Sequence, residues 1–219
     1  MKNNAKSYRR IVAVIGIALL VVGITRTSRG DGVRDFADKS KFTTIDFPGA
    51  AGFTAPFGIN PRGDIVGVYF AVLNQSIITQ GFLLSKGTFT TIAVPGSAFT
   101  ATNGINPEGD IVGTYFDGGG NIHGFLLSKG EFATIDVPAA FGSGTQALGI
   151  NPGADIVGFY TDSGGNAHGF LLSKGRFITI DVPAAFGIGT IATGINPQGD
   201  IVGTYFDGSG NVHGFLLSN

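Results

Sequence analysis

The chain has 219 residues, a net charge of −1, 43% hydrophobic and 13% charged residues, which excludes a disordered chain and leaves no basic surface for a nucleic acid partner. Cysteine is absent, excluding disulfides, thiolate metal sites, cysteine nucleophiles and a lipid-modified cysteine anchor. The 37 glycines, without a collagen period, mean many tight turns between short elements, and 19 phenylalanines with no tryptophan point to one aromatic reused at equivalent positions.

Residues 1–10 carry Lys2, Lys6, Arg9 and Arg10 and precede an apolar run from Ile11 to Ile24, the layout of a secretory signal. The run is shorter than the roughly 20 residues of a comfortable bilayer span. Small residues at Ser28 to Gly30 offer a cleavage site, but Arg26 and Arg29 make it a poor one. Two readings of residues 1–30 stay open: a cleaved signal peptide, or an uncleaved anchor holding the chain to a membrane through residues 11–24. Either predicts an extracellular or cell-surface location for the rest. Residues 31–41 read as a linker.

From residue 42 to residue 219 the text repeats, with Phe42, Phe89, Phe132 and Phe177 each opening a copy about 45 residues from the next. Each copy holds four short runs. The first alternates apolar and polar residues and stops at a proline, as Phe177 to Val182 does before Pro183. The second, such as Ile191 to Asn196, ends in the turn Asn196-Pro197-Gln198-Gly199. The third, Asp200 to Phe206, is rich in β-formers. The fourth, Val212 to Leu217, follows the glycine-rich connection Asp207 to Asn211. Four antiparallel strands per copy predict an all-β, four-bladed β-propeller. The first and last copies cut the repeat at the same phase, so the strand at Phe42 is expected to join the last three strands and close the ring, removing an exposed sheet edge. The alternative is that several chains exchange this strand and self-associate into a larger ring or fibre.

Gly104-Ile-Asn-Pro-Glu-Gly-Asp-Ile-Val-Gly113, followed by His123-Gly-Phe-Leu-Leu127, resembles the bacterial extracellular repeats of the HAF family, named for a His-Ala-Phe triplet. The likeness runs from Phe42 to Asn219. The chain departs from it at Gly124, Gly169 and Gly214, where alanine would stand, and at Gln80, where the first histidine would stand. The resemblance implies a secreted or surface protein and names no chemistry.

The histidines, His123, His168 and His213, each follow a turn aspartate, Asp117, Asp162 or Asp207. A metal site would need them to converge. Equivalent positions around a ring are rotated apart, so a structural hydrogen bond to a turn or neighbouring blade is expected, and no metal or cofactor. Asp64, Asp110, Asp155 and Asp200 recur after a turn glycine and are expected to fix each turn by accepting from its amides. The Asp-Gly-rich loops lack the further oxygen ligands calcium requires.

Function is expected where the copies differ. The hairpins and inter-blade connectors share one face, and the first copy there replaces its Asp-Gly hairpin with the longer Ala71 to Gln80. Phe53, Phe99, Phe141 and Phe186, one per connector, together with Asn103 and Gln146, are the candidate ligand-binding residues. The phenylalanines form either a hydrophobic cap over the blade ends or an aromatic platform for an extracellular glycan or protein. No catalytic residues are assigned, since no single-copy set of nucleophile, base and orienting acid is present. The expected function is a secreted or cell-surface, non-catalytic binding or structural module. The rivals are an extracellular hydrolase or lyase using the same face, and a fibre or lattice subunit.

Overall fold

In the computed structural model, the described residues are 42–139, 142–183 and 188–218. Residues 1–30 and 31–41, on which the signal, anchor and linker expectations fall, lie outside them. The chain divides into two units, Met1–Thr43 and Thr44–Asn219, and the second holds every strand described below.

All regular structure among the described residues is β. Strands β1 (Thr54–Ile59), β2 (Ile65–Leu73), β3 (Ser76–Ser85) and β4 (Thr88–Ile92) form an antiparallel meander. So do β5 (Phe99–Ile105), β6 (Ile111–Phe116), β7 (Ile122–Ser128) and β8 (Glu131–Ile135). A single parallel bridge, Thr79 to Phe99, joins these two meanders. The third contains β9 (Ser143–Ile150), β10 (Ile156–Thr161), β11 (Ala167–Ser173) and β12 (Arg176–Ile180). The last has three strands, β13 (Ile188–Ile195), β14 (Ile201–Phe206) and β15 (Val212–Leu217).

Turn chemistry fixes each meander. Lys86-Gly87, Lys129-Gly130 and Lys174-Gly175 all have positive φ, which gives tight two-residue hairpins whose twist matches that of the strands. In each Asn-Pro turn the asparagine side-chain carbonyl caps the amide of the aspartate four residues on, at 2.8 to 3.0 Å. The aspartate's role differs from the expected one. Asp64, Asp110, Asp155 and Asp200 accept from the asparagine Nδ2 and so orient the residue that caps the turn.

The core lies between successive sheets. One apolar cluster joins Val66 and Ile92 of the first meander to Ile105, Ile111 and Phe125 of the second; others join Val112 to Ala147 and Val157 to Ala192. Close approach of the innermost strands is polar as well as apolar. Asn60 Nδ2 donates to the Asn106 carbonyl at 3.2 Å, and Asn103 Nδ2 to the Ala147 carbonyl at 2.8 Å. A threonine on each innermost strand also captures the residue that enters its sheet: Thr100 Oγ1 accepts from Val94 N, Thr145 from Val137 N and Thr190 from Val182 N, at 3.0 to 3.1 Å.

Residues 42–47 carry no strand, and β15 has no fourth partner among the described residues. A closed ring is therefore not seen.

Candidate functional site: the hairpin and connector end

Strand direction sends two sets of loops to opposite ends of each sheet. The β2–β3 type hairpins and the inter-sheet connectors share one end, and the Asn-Pro and Ser-Lys-Gly turns share the other. At the first end the second and third sheets carry the same polar clamp. His123 Nδ1 lies 2.9 Å from Asp136 Oδ2, its Nε2 lies 3.4 Å from Asp117 Oδ2, and its ring stacks on Tyr115 at 5.1 Å. His168 repeats this with Asp181 at 2.9 Å, Asp162 at 3.3 Å and Tyr160 at 5.2 Å. Partial burial pulls the His123 ring's pKa down, but the hydrogen bond and charge of Asp136, and then those of Asp117, outweigh it and hold the ring above its ordinary value. Asp117 is lowered to about 2, first by the side chain and amide of Asn121 and then by His123 and the Gly119 amide. Asp162 is held well below the usual carboxylate range by Asn166, then by His168 and the Gly164 amide.

With both ring nitrogens engaged, each histidine ties the hairpin turn to the outermost strand of its own sheet. The outer aspartates, Asp136 and Asp181, are absent from the sequence expectations. Their signal was present in the repeat, as the last residue of Thr-Ile-Asp, 13 positions beyond each histidine.

The candidate ligand-binding residues divide three ways. Phe53 stacks on Phe70 at 4.4 Å, and Phe99, buried, stacks on its cross-strand partner Phe116 at 4.3 Å. Asn103 is committed to the neighbouring sheet, and Gln146 is buried. Phe141 and Phe186 lie outside the described residues.

Among the described residues this end exposes, beside the short Asp-Gly hairpins, the longer hairpin unique to the first sheet. β2 and β3 extend past the other hairpins and turn at Asn74-Gln75, both with positive φ. Val72, Leu73 and Ile77 at its tip are 65%, 54% and 66% exposed. Val72 and Ile77 are cross-strand partners on one face of this ribbon and Leu73 stands on the other, so the projecting tip is aliphatic on both faces. A separate cleft of about 810 Å³ lies between the first two sheets, lined by Thr90, Thr91, Glu108, Asp110 and Lys129 among others.

These features define an all-β, propeller-like repeat protein. No family model and no curated protein matches the sequence. Among solved structures, TolB from Acinetobacter baumannii is similar over 75% of this chain, with 17% identity and a TM-score of 0.55, and the chain spans 40% of the length of TolB. A mutant of AofleA from Arthrobotrys oligospora aligns over 74% of this chain and 53% of its own, at 14% identity and a TM-score of 0.45. A fucose lectin from Kordia zhangzhouensis in complex with methyl-fucoside aligns over 57% of this chain and 95% of its own, at 10% identity and a TM-score of 0.38. The likeness to TolB is one of fold.

Proposed function

We propose that the chain is an exported, non-catalytic binding module of the HAF-repeat type, whose four repeats act as propeller blades that carry one projecting hairpin to an extracellular protein. The observation that carries this reading is the β2–β3 tip, where Val72, Leu73 and Ile77 stand in solvent at the end where the repeats differ most. An aliphatic tip suits a protein surface. A glycan platform would draw on aromatic faces, and Phe53 and Phe99 spend theirs on Phe70 and Phe116. The absence of catalysis is supported by the clamps: the same histidine and carboxylates recur with equal geometry in two sheets and are satisfied by each other, which is scaffold chemistry.

The test is binding of the full chain to extracellular protein fractions and to a glycan panel, with V72S/I77S as the variant. Loss of protein binding by about tenfold or more, at unchanged melting temperature, is the expected result. It corresponds to removing about 1.4 kcal/mol or more of apolar contact. Glycan binding indifferent to the hairpin, or turnover of a polysaccharide or ester abolished by a connector substitution, would overturn the proposal.

A further inference from the structure

The third histidine clamp is half built. His213 stacks on Tyr205 at 5.1 Å and its Nε2 lies 3.1 Å from Asp207, matching the other two sites, yet among the described residues no carboxylate stands at its Nδ1. Two further pairs are missing from the same sheet. Tyr69, Tyr115 and Tyr160 each bond a threonine of the outermost strand, Thr91, Thr134 and Thr179, whereas Tyr205 has no such partner among the described residues. Phe82, Phe125 and Phe170 each meet an outer-strand phenylalanine edge-on at 5.4 to 5.5 Å, and Phe215 meets none among the described residues.

The missing side chains exist in this sequence, in the missing order. Phe42, Thr44 and Asp46 occupy the repeat positions of Phe132, Thr134 and Asp136. The first sheet supplies the converse case: it has Gln80 in place of histidine and Ala93 in place of aspartate, so there the pair is lost together. His213 keeps its histidine, and Asp46 keeps the acid that would match it.

The position of residue 47 says which sheet the segment approaches. Phe47 N donates to Thr54 Oγ1 at 3.0 Å, just as Val94, Val137 and Val182 donate to the threonine of the sheet they enter, and its ring stacks on Tyr69 at 3.6 Å. Thr44 to Asp46 therefore lead into the first sheet from where a preceding sheet would stand. Both end faces of the array are open in the same molecule. Ile59 of the first sheet is 68% exposed where Ile105 is 8%, and Val202 of the last is 49% exposed where Val112 is 0%. The chain's own last sheet does not cover its own first.

We propose that Phe42 to Asp46 of one copy forms the fourth strand of the β13–β15 sheet of a second copy, antiparallel to β15, with Asp46 closing on His213. The register follows that of β7 with β8, pairing Leu217 with Phe42, Leu216 with Thr43, Phe215 with Thr44 and Gly214 with Ile45. The contact continues the sheet-on-sheet packing already present along the chain, Ile59 and Val202 taking the places of Ile105 and Val112. It is heterologous, so two copies that exchange reciprocally close on themselves and copies that do not close extend as a filament. A fourth strand also covers an edge that otherwise invites unspecific pairing.

The absence of native cysteine makes the test clean. Full-length T43C and L216C chains, mixed under oxidising conditions, are expected to form a covalent dimer, and T43C with S209C is expected to form none. D46A should weaken dimerisation by about two- to fivefold, the size expected for an exposed ion pair. Removing residues 42–46 should abolish it while leaving a folded monomer by circular dichroism. A T43C/L216C chain that links only within itself would overturn the second copy as donor. No linkage in either arrangement, with a plain monomer at high concentration, would overturn the strand pairing itself.

Discussion

Gly113 shows how little freedom one position in the repeat retains. A Cβ there would fall on the Ala101 carbonyl oxygen and on the Phe125 ring, and the equivalent glycines, Gly67, Gly158 and Gly203, meet the same obstruction from a backbone carbonyl. The innermost strand bulges beside this residue, where the Thr102 to Gly104 register shifts, and presses its backbone onto the neighbouring strand. Gly113→Ala should therefore cost about 3 kcal/mol, read by chemical denaturation; a cost below about 1 kcal/mol would contradict the close approach. Ala154 is the opposite case. Its φ of 60° falls where the equivalent turns place Gly63, Gly109 and Gly199 at 80°, 93° and 91°. Ala154→Gly should stabilise the fold by about 1 kcal/mol, because the left-handed conformation strains a side chain; a loss of stability would contradict the turn geometry.

At the scale of elements, each clamp couples a hairpin to the outer strand of its sheet. His123 and His168 are raised, so their charged contribution is complete below the ordinary value of 6.5 and disappears as pH rises through the raised one. Asp117 is lowered to about 2, so its contribution is present above the ordinary carboxylate value of 3.8 and is lost only as pH falls toward that lower figure. The clamps are thus strongest at mildly acid pH. H123Q/H168Q should lower the melting temperature more at pH 5 than at pH 9, and an equal or larger loss at pH 9 would contradict the charged clamp. The sequence made these elements legible where turn residues bracket β-formers: the fourth run predicted at Val212 to Leu217 is β15 itself, and the third, from Asp200, is β14 from Ile201. It did not make legible what depends on register across strands. Phe99 meets Phe116 only once β5 and β6 are aligned, and Asp136 meets His123 only once β7 and β8 are. Phe99, expected on a binding surface, is buried for that reason, while the aliphatic hairpin tip, different in sequence from the other hairpins, gives no sign there of how far β2 and β3 extend.

At the scale of the molecule, repetition builds most of the fold and leaves its two ends unequal to its middle. The inner interfaces bury Val66, Val112 and Val157 completely, whereas Val202 at the far end is 49% exposed, and Val212, Leu216 and Leu217 of β15 stand 60%, 66% and 44% exposed where their inner counterparts are at least half-buried. Such a surface is unusual for a protein that stays alone. The projecting hairpin and the open ends serve separate purposes in the proposed scheme, one for a foreign protein and the other for a second copy. They are separable by mutation, since V72S/I77S leaves residues 42–46 untouched. The most direct measurement is amide hydrogen exchange of the full chain across a concentration series, read at residues 42–46 and 212–217. Strand exchange between copies predicts that both segments gain protection together, over the concentrations at which the mass doubles or rises further, and that D46A moves this transition to higher concentration. Rapid exchange of both segments at every concentration, or protection already complete in a monomer, would contradict it.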